Sequence, residues 1–437
     1  MPSRTIIPVT LLLFVSYCGL ITRLGSDSLR SWDEAVYAEC AKEMVQNGNW
    51  LTIYWNGEKF FQKPPLFIWC TAILYKLFGV SEFTSRFISA LAGTAVVVLT
   101  FFLTRLSFDR FPSLIASFML LTSPAFFIFS RSGMTDAMLT FFMLLALYAY
   151  LKANDPRYWY LVGTALGLAM MTKGAAALPA VLVIVVGAIF SRVRNRHVWA
   201  ALVLFVLIAS SWHIAMIWLY GKQFLQEYIG IQVLARAVRT IDAETYSPFY
   251  YLPMLGLSVI LLPLGLWRFR QRRDIPPILV LFALLIITIC MVMRTKHGWY
   301  ILPALPAIST IIAPGNGFRI RPHIYCLLIG LNVILLWLVI GASRVDTPAH
   351  ENLAWLARQA SHDTGPLGVY PDLEFGPEVL FYSNRKLCSG GSHTMASMAR
   401  CFPTHIIATK AELNVLSTKY KLTAIAESGP FIYLRID

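Results

Sequence analysis

The sequence predicts an all-α polytopic membrane domain followed by a small C-terminal α/β soluble domain. Three observations carry that prediction. The 437-residue chain is 57% hydrophobic and only 14% charged, with a mean hydropathy of +0.62, whereas soluble domains carry roughly 25% charged residues. So apolar a chain has too little polar surface to cover one soluble core, and bilayer hydrocarbon is the solvent that suits it. Apolar segments approaching or exceeding the ~20 residues of a spanning helix recur along the chain. Basic residues collect in alternate short loops between them.

The first apolar segment runs from Ile6 to Ile21, between Arg4 and Arg23. It resembles the core of a signal peptide, but no small-residue cleavage site follows, so we expect a retained first helix. A long amphiphilic stretch, residues 23–65, comes next. Further apolar segments lie near 66–79, 83–104, 111–129, 134–151, 158–171, 175–191, 198–219, 249–267, 275–293, 300–313 and 324–343. The segment at 66–79 is short, begins after Lys63-Pro64-Pro65, and is assigned to the membrane interface. About eleven transmembrane helices are therefore expected.

The basic loops set the orientation. Arg105 and Arg110, Lys152 and Arg157, Arg192 to Arg196, Arg268 to Arg273, and Arg319 and Arg321 fall on the side of Arg4. By the positive-inside rule that side is cytoplasmic. The expectation is a multi-pass protein of the inner (plasma) membrane, with a cytoplasmic N-terminus and an extracytoplasmic C-terminal domain. The net charge of +14 is then mostly a topology signal. Nucleic acid is not an expected partner, because a binding groove needs charge clustered on one soluble face.

Two domains are expected. Residues 1–343 form the membrane domain, with 23–65 as a large first outer loop, and residues 344–437 form the tail. In the tail, His350 to His362 has helical periodicity, with Leu353, Leu356 and Ala357 on one face. Short apolar runs at Gly368–Tyr370, Val379–Tyr382, Ile406–Ala408, Thr423–Ala426 and Phe431–Leu434 read as strands. So small a domain is expected to lean on the membrane part for stability. Five of the seven cysteines are single and sit in or near apolar segments, where they are small core residues. Cys388 and Cys401 are the tail's only pair, and an extracytoplasmic tail permits a disulfide between them. No CxxC or HExxH spacing is present.

The candidate chemistry gathers on the outer side. Asp33 and Glu34 follow the first helix in Ser31-Trp32-Asp33-Glu34-Ala35. They read either as acidic residues in the first turn of a helix or as a general base at a sugar-lipid site. Lys63 precedes Pro64-Pro65, which hold extended backbone before a helix start. It is placed to contact a phosphate head group or to snorkel at the interface. Asp136 lies in an outer turn, as a helix cap or as a functional ionisable group at membrane depth. Lys173 occupies a comparable outer turn, Arg236 and Arg239 the loop 220–247, and Lys296, His297 and Tyr300 another turn. Together they suit an anion-binding cluster beside two carboxylates.

The string Trp32-Asp33-Glu34-Ala35-Val36-Tyr37-Ala38-Glu39, then Gly48-Asn49-Trp50, Asn56-Gly57, Phe61-Gln62-Lys63-Pro64-Pro65-Leu66 and Trp69, resembles the first outer loop of ArnT-type aminoarabinose transferases. These are GT-C membrane glycosyltransferases, with dolichyl-phosphate-mannose protein mannosyltransferases as relatives. The resemblance continues at Thr135-Asp136, Thr172-Lys173-Gly174, around Arg236, and from Lys296 to Pro306. It spans roughly residues 5 to 320. It implies a polyprenyl-phosphate sugar donor and an acceptor outside the cytoplasm, either lipid A (lipopolysaccharide) or protein. Within it, Asp33 matches the catalytic acidic position, Asp136 the second acidic position, Lys63 the phosphate-contacting lysine, and Arg236 and Tyr300 donor-cavity positions. Where many of these enzymes have Glu-Lys-Pro-Pro, this chain has Gln62-Lys63. The family's glutamate is associated with a divalent metal, so a metal cofactor is left open.

The expected function is transfer of a sugar from a polyprenyl-phosphate-linked donor to an extracytoplasmic acceptor. Asp33, Glu34 and Asp136 are the catalytic candidates, and Lys63, Arg236, Tyr300 and Lys173 the phosphate-binding ones. Two alternatives stand beside it: a secondary transporter, whose charges would sit at broken midplane helices, and a non-enzymatic lipid-binding membrane subunit.

Overall fold

The computed structural model describes residues 3–30, 33–192, 196–235, 247–255, 258–272, 274–314, 322–343, 347–370, 376–388 and 403–437. The chain folds into two compact units, each drawn from discontinuous segments. One comprises residues 1–22, 61–67 and 87–339, and the other residues 23–60, 68–86 and 340–437.

The first unit is a bundle of apolar helices. Glu82–Thr104, Arg157–Phe190, His197–Ala235 and His323–Ile340 are each long and apolar enough to cross a bilayer. Among the described residues, Arg110–Leu121 and Pro124–Ser130 make a fifth if their 67° bend is taken within one span. The remaining apolar helices, including Thr135–Leu151, Pro277–Val292 and Gly298–Ile312, are only 10–17 residues long. Several of the expected segments are therefore present as broken or joined helices rather than as separate spans. The breaks have local causes. Pro124 opens a new helix, and Gly174 ends the helix Arg157–Lys173 with φ 56° and ψ −128°, which a side chain resists. Gly221 adopts φ 49° within His197–Phe224, and a π-helix, Leu225–Ala235, follows. Large apolar side chains such as Ile189, Phe190, Trp218, Leu207 and Trp337 are exposed on this unit. In water they would form an oversized apolar patch, whereas in lipid they are solvated.

The second unit joins the first loop to the tail. Asp33–Asn47 is a helix. β1 (Tyr54–Trp55) and β2 (Glu58–Lys59) form an antiparallel hairpin around Asn56 and Gly57, both with positive φ, as a two-residue Asn-Gly turn requires. The tail carries β3 (Leu367–Tyr370), β4 (His405–Thr409), β5 (Leu422–Ser428) and β6 (Phe431–Ile436). They form one sheet in the order β3-β4-β6-β5, with β3 parallel to β4 and the other pairs antiparallel. Thr347–Ala360 packs Leu353, Leu356 and Ala357 into a core with Val369, Ile407 and Tyr433, and Trp55 leans on it. The expected strand at Val379–Tyr382 is instead part of the helix Gly376–Ser383. A four-residue apolar run carries no period, and Pro377 at the second position fits a helix start.

Polar contacts tie the first loop to the tail. The Asn56 side chain donates to the Leu387 carbonyl and accepts from the Leu387 amide at 3.1 and 2.9 Å. Lys42 donates to the Phe381 carbonyl at 2.7 Å, and the Ser28 amide to Glu351. Arg358 and Tyr382 both reach Glu82. The unit containing the tail thus includes much of residues 23–86, not 344–437 alone. Cys388 is disulfide-bonded; Cys401 lies outside the described residues.

Candidate active site

One cavity of about 720 Å³ lies entirely within the first unit. Its polar end is formed by Gln62, Lys63, Asp136, Lys173, Tyr228, Gln232 and Tyr300. Its remaining lining is apolar, including Leu178, Val181, Leu182 and Val185 from the helix Leu178–Phe190 and Leu285, Ile286 and Ile289 from Pro277–Val292. The arrangement has a charged head and a greasy channel.

Each polar group is placed by local structure. Ser89 donates to the Met134 carbonyl at 2.7 Å and accepts from its amide at 3.1 Å, fixing the turn before the helix Thr135–Leu151. Asp136 then falls in that helix's first turn, while Met134 holds the cap position. Both Asp136 carboxylate oxygens accept from Lys173 Nζ at 2.7 Å. Lys173 is the last residue of Arg157–Lys173, where a cation suits the carbonyl end of a helix. Its ammonium also lies 5.4 Å from the centre of the Tyr300 ring, within cation–π range. Lys63 is 8% exposed. Its neighbour Pro64 lies close to Gly174, which brings the Lys63-Pro64 and Lys173-Gly174 runs side by side.

Of the expected site residues, the structure therefore gathers Lys63, Asp136, Lys173 and Tyr300 at one cavity. Arg236 lies outside the described residues. Lys296, expected in the same anion-binding cluster, donates to the carbonyls of Cys290, Met291 and Met293 at 3.0, 2.9 and 2.6 Å and closes the end of Pro277–Val292. Three residues of the polar end lie outside the candidates that the sequence offers: Gln62, Tyr228 and Gln232. The last two lie on a π-helix, whose period no amphipathic pattern reveals.

Asp33 and Glu34 open the helix Asp33–Asn47 of the second unit, and their environments differ sharply. Glu34 is 3% exposed. Its Oε1 accepts from Arg86 Nε at 2.8 Å, and its Oε2 from Arg86 Nη2 at 3.0 Å and the Arg30 amide at 2.8 Å. Arg86 also donates to the carbonyls of Leu24, Asp27 and Ser28. Glu34 is a strut that holds the loop's backbone, and its carboxylate is committed. Asp33 is half-buried, and no ion pair or hydrogen bond occupies its carboxylate among the described residues.

The donor set at the polar end does not suit a divalent metal. Two amides and two lysines face the cavity with one carboxylate, and that carboxylate is already held by Lys173. Hard divalent cations favour several anionic or carbonyl oxygens. Among the described residues no group of three or more His, Cys, Asp or Glu side chains could hold a metal ion.

Residues 62–218 match the family model described as dolichyl-phosphate-mannose-protein mannosyltransferase. An uncharacterized protein of Aquifex aeolicus is 30% identical over 293 residues, covering 65% of this chain and 67% of its own length. The undecaprenyl phosphate-alpha-4-amino-4-deoxy-L-arabinose arabinosyl transferase of Yersinia pestis is 27% identical over 392 residues, covering 82% and 70%. The crystal structure of ArnT from Cupriavidus metallidurans bound to undecaprenyl phosphate superposes with a TM-score of 0.77 at 19% identity, covering 98% of this chain and 97% of that one. The fold is that of the GT-C membrane glycosyltransferases. The chain belongs to their ArnT-type family, which is allied to the protein mannosyltransferases. It is an integral membrane protein.

Proposed function

We propose that the cavity receives the phosphate end and the first isoprene units of a polyprenyl-phosphate-linked sugar, and that the sugar passes to an acceptor outside the cytoplasm. The chain is a membrane glycosyltransferase with a polyprenyl-phosphate donor. One observation supports this use of the cavity above others: two lysines, with one carboxylate, two tyrosines and two glutamines, line a cavity whose other lining residues are apolar. A phosphate matches the ammonium groups, and an isoprenoid chain matches the walls.

In the reaction the acceptor oxygen attacks the anomeric carbon while the bond from that carbon to the phosphate oxygen breaks. The electron pair leaves with the polyprenyl phosphate. Lys63, Lys173 and Arg236 stabilise the charge that grows on it, and the Asp136–Lys173 pair fixes one ammonium in place. Asp33 takes the acceptor's proton. Its open carboxylate supports that assignment, and the saturated carboxylate of Glu34 supports a structural part instead. The acceptor is lipid A or a protein, and the sugar a pentose or a hexose. The orientation we assign places the N-terminus in the cytoplasm and residues 344–437 outside.

Asp33→Asn keeps shape and removes the base, so transfer should fall by ~10²–10⁴-fold with thermal stability near wild type. Glu34→Gln should instead lower stability. Full transfer activity in the Asp33→Asn protein would remove this residue from the chemistry.

A further inference from the structure

We propose that Tyr228 and Gln232 form the subsite that reads the hydroxyl or amino groups of the donor sugar. The inference rests on the donor reading above and deepens it.

The argument starts at His213, on the helix His197–Phe224. Its Nδ1 lies 2.7 Å from the carbonyl oxygen of Ala209. A carbonyl oxygen can only accept, so Nδ1 carries the proton. In the neutral ring, the predominant form near pH 7 for an ordinary imidazole, Nε2 is then an acceptor. The Tyr228 hydroxyl lies 2.9 Å from Nε2 and is the donor of that bond. Its only hydrogen is used, and its oxygen has lone pairs left for a ligand.

The hydroxyl is held firmly. The Tyr228 ring stacks on Phe224 at 5.1 Å and 10°, with Trp212 edge-on at 6.2 Å. The hydroxyl lies against Gly174, where any Cβ would collide with it. Gly174 follows Lys173 directly, so the phenolic oxygen sits beside the backbone that carries Lys173, and Tyr228 lines the same cavity as the Asp136–Lys173 pair.

Gln232 lies four residues further along the π-helix and lines the same cavity. Its Oε1 is buried and has no hydrogen-bond partner among the described residues. A buried acceptor left unpaired costs free energy unless a ligand satisfies it. Both side chains line a cavity whose cations already suit the phosphate, and each carries an acceptor oxygen with lone pairs to spare. These oxygens repel phosphate oxygens and accept from O–H or N–H. On a polyprenyl phosphoglycoside those donors are found on the sugar.

The test compares binding of bare undecaprenyl phosphate with binding of undecaprenyl phosphoglycosides. The full chain is reconstituted in nanodiscs, and the glycosides carry 4-amino-4-deoxy-L-arabinose, mannose or glucose. The quantity read is the ratio of the two dissociation constants for the glycoside the wild type binds best. Gln232→Leu and Tyr228→Phe should each lower the preference for the glycoside by roughly 5- to 100-fold, while affinity for bare undecaprenyl phosphate stays within about twofold. Should Tyr228→Phe fail to fold, Gln232→Leu alone carries the test. An unchanged ratio in the folded variants overturns the subsite, as does an equal loss for both ligands, or a wild type that prefers none of the glycosides. A wild type that binds neither ligand overturns the donor reading itself.

Discussion

The buried pair between Asp136 and Lys173 offers the sharpest test of how the cavity is built. Both carboxylate oxygens lie 2.7 Å from Nζ, and the side chains are 3% and 9% exposed. At an effective dielectric near 20, their attraction is roughly 6 kcal/mol. Desolvation of the two ions costs several kcal/mol each, so the intact pair is close to neutral for stability. Removing one partner is different, because the other charge stays buried. Asp136→Asn or Lys173→Met alone should each cost ~3–5 kcal/mol, against a typical total stability of 5–15 kcal/mol. The double variant Asp136→Leu/Lys173→Met should recover most of that loss. Equilibrium unfolding of the four proteins in matched detergent gives the coupling energy, expected at ~2 kcal/mol or more. The double variant should nevertheless bind undecaprenyl phosphate more weakly, since an ammonium has left the cavity. Single losses that add in the double variant to within ~0.5 kcal/mol would refute the reasoning, because the two groups would then not depend on each other.

Three further outcomes are expected. Lys63→Ala should weaken undecaprenyl phosphate binding, with Lys63→Arg a partial rescue; unchanged affinity in the alanine variant removes this lysine from the phosphate site. The carboxyl of Glu39 is pushed up to about 7 from its usual 4.5 by burial, with Lys42 opposing the shift. The protonated form is favoured in the fold, so this group's contribution is whole below pH 4.5 and is lost as pH rises through about 7. Glu39→Gln should therefore flatten the decline in thermal stability between pH 5 and 8, and an unaltered slope counts against the assignment. A reporter active only outside the cytoplasm, fused after Asp437, should be active; activity of a cytoplasm-only reporter there would reverse the orientation.

Composition and apolar patterning were enough to identify the solvent, because a chain of this hydropathy has few other places to fold. The spaced pattern from Trp32 to Trp69 was enough for the family, because its prolines, tryptophans and charges are fixed in linear order. Four of the candidate site residues, Lys63, Asp136, Lys173 and Tyr300, were legible as charges or aromatics stranded at the ends of apolar runs. Linear order could not separate Asp33 from Glu34, since both are acidic and adjacent. The difference comes from Arg86, more than fifty positions on, which occupies one carboxylate and leaves the other. The length of each apolar segment likewise did not determine whether it forms a straight span. Proline and glycine backbones at Pro124, Gly174 and Gly221 turned several of them into broken helices. Nor could Val379–Tyr382 be assigned from four apolar residues, whose helical form was decided by packing in the tail. Tyr228 and Gln232 were the least legible, because their role depends on a π-helix and on a histidine tautomer. The tautomer is set by a carbonyl one turn back in the same helix, and it matters to Tyr228 only because the folded chain brings the π-helix against His213, a contact that the tertiary structure supplies.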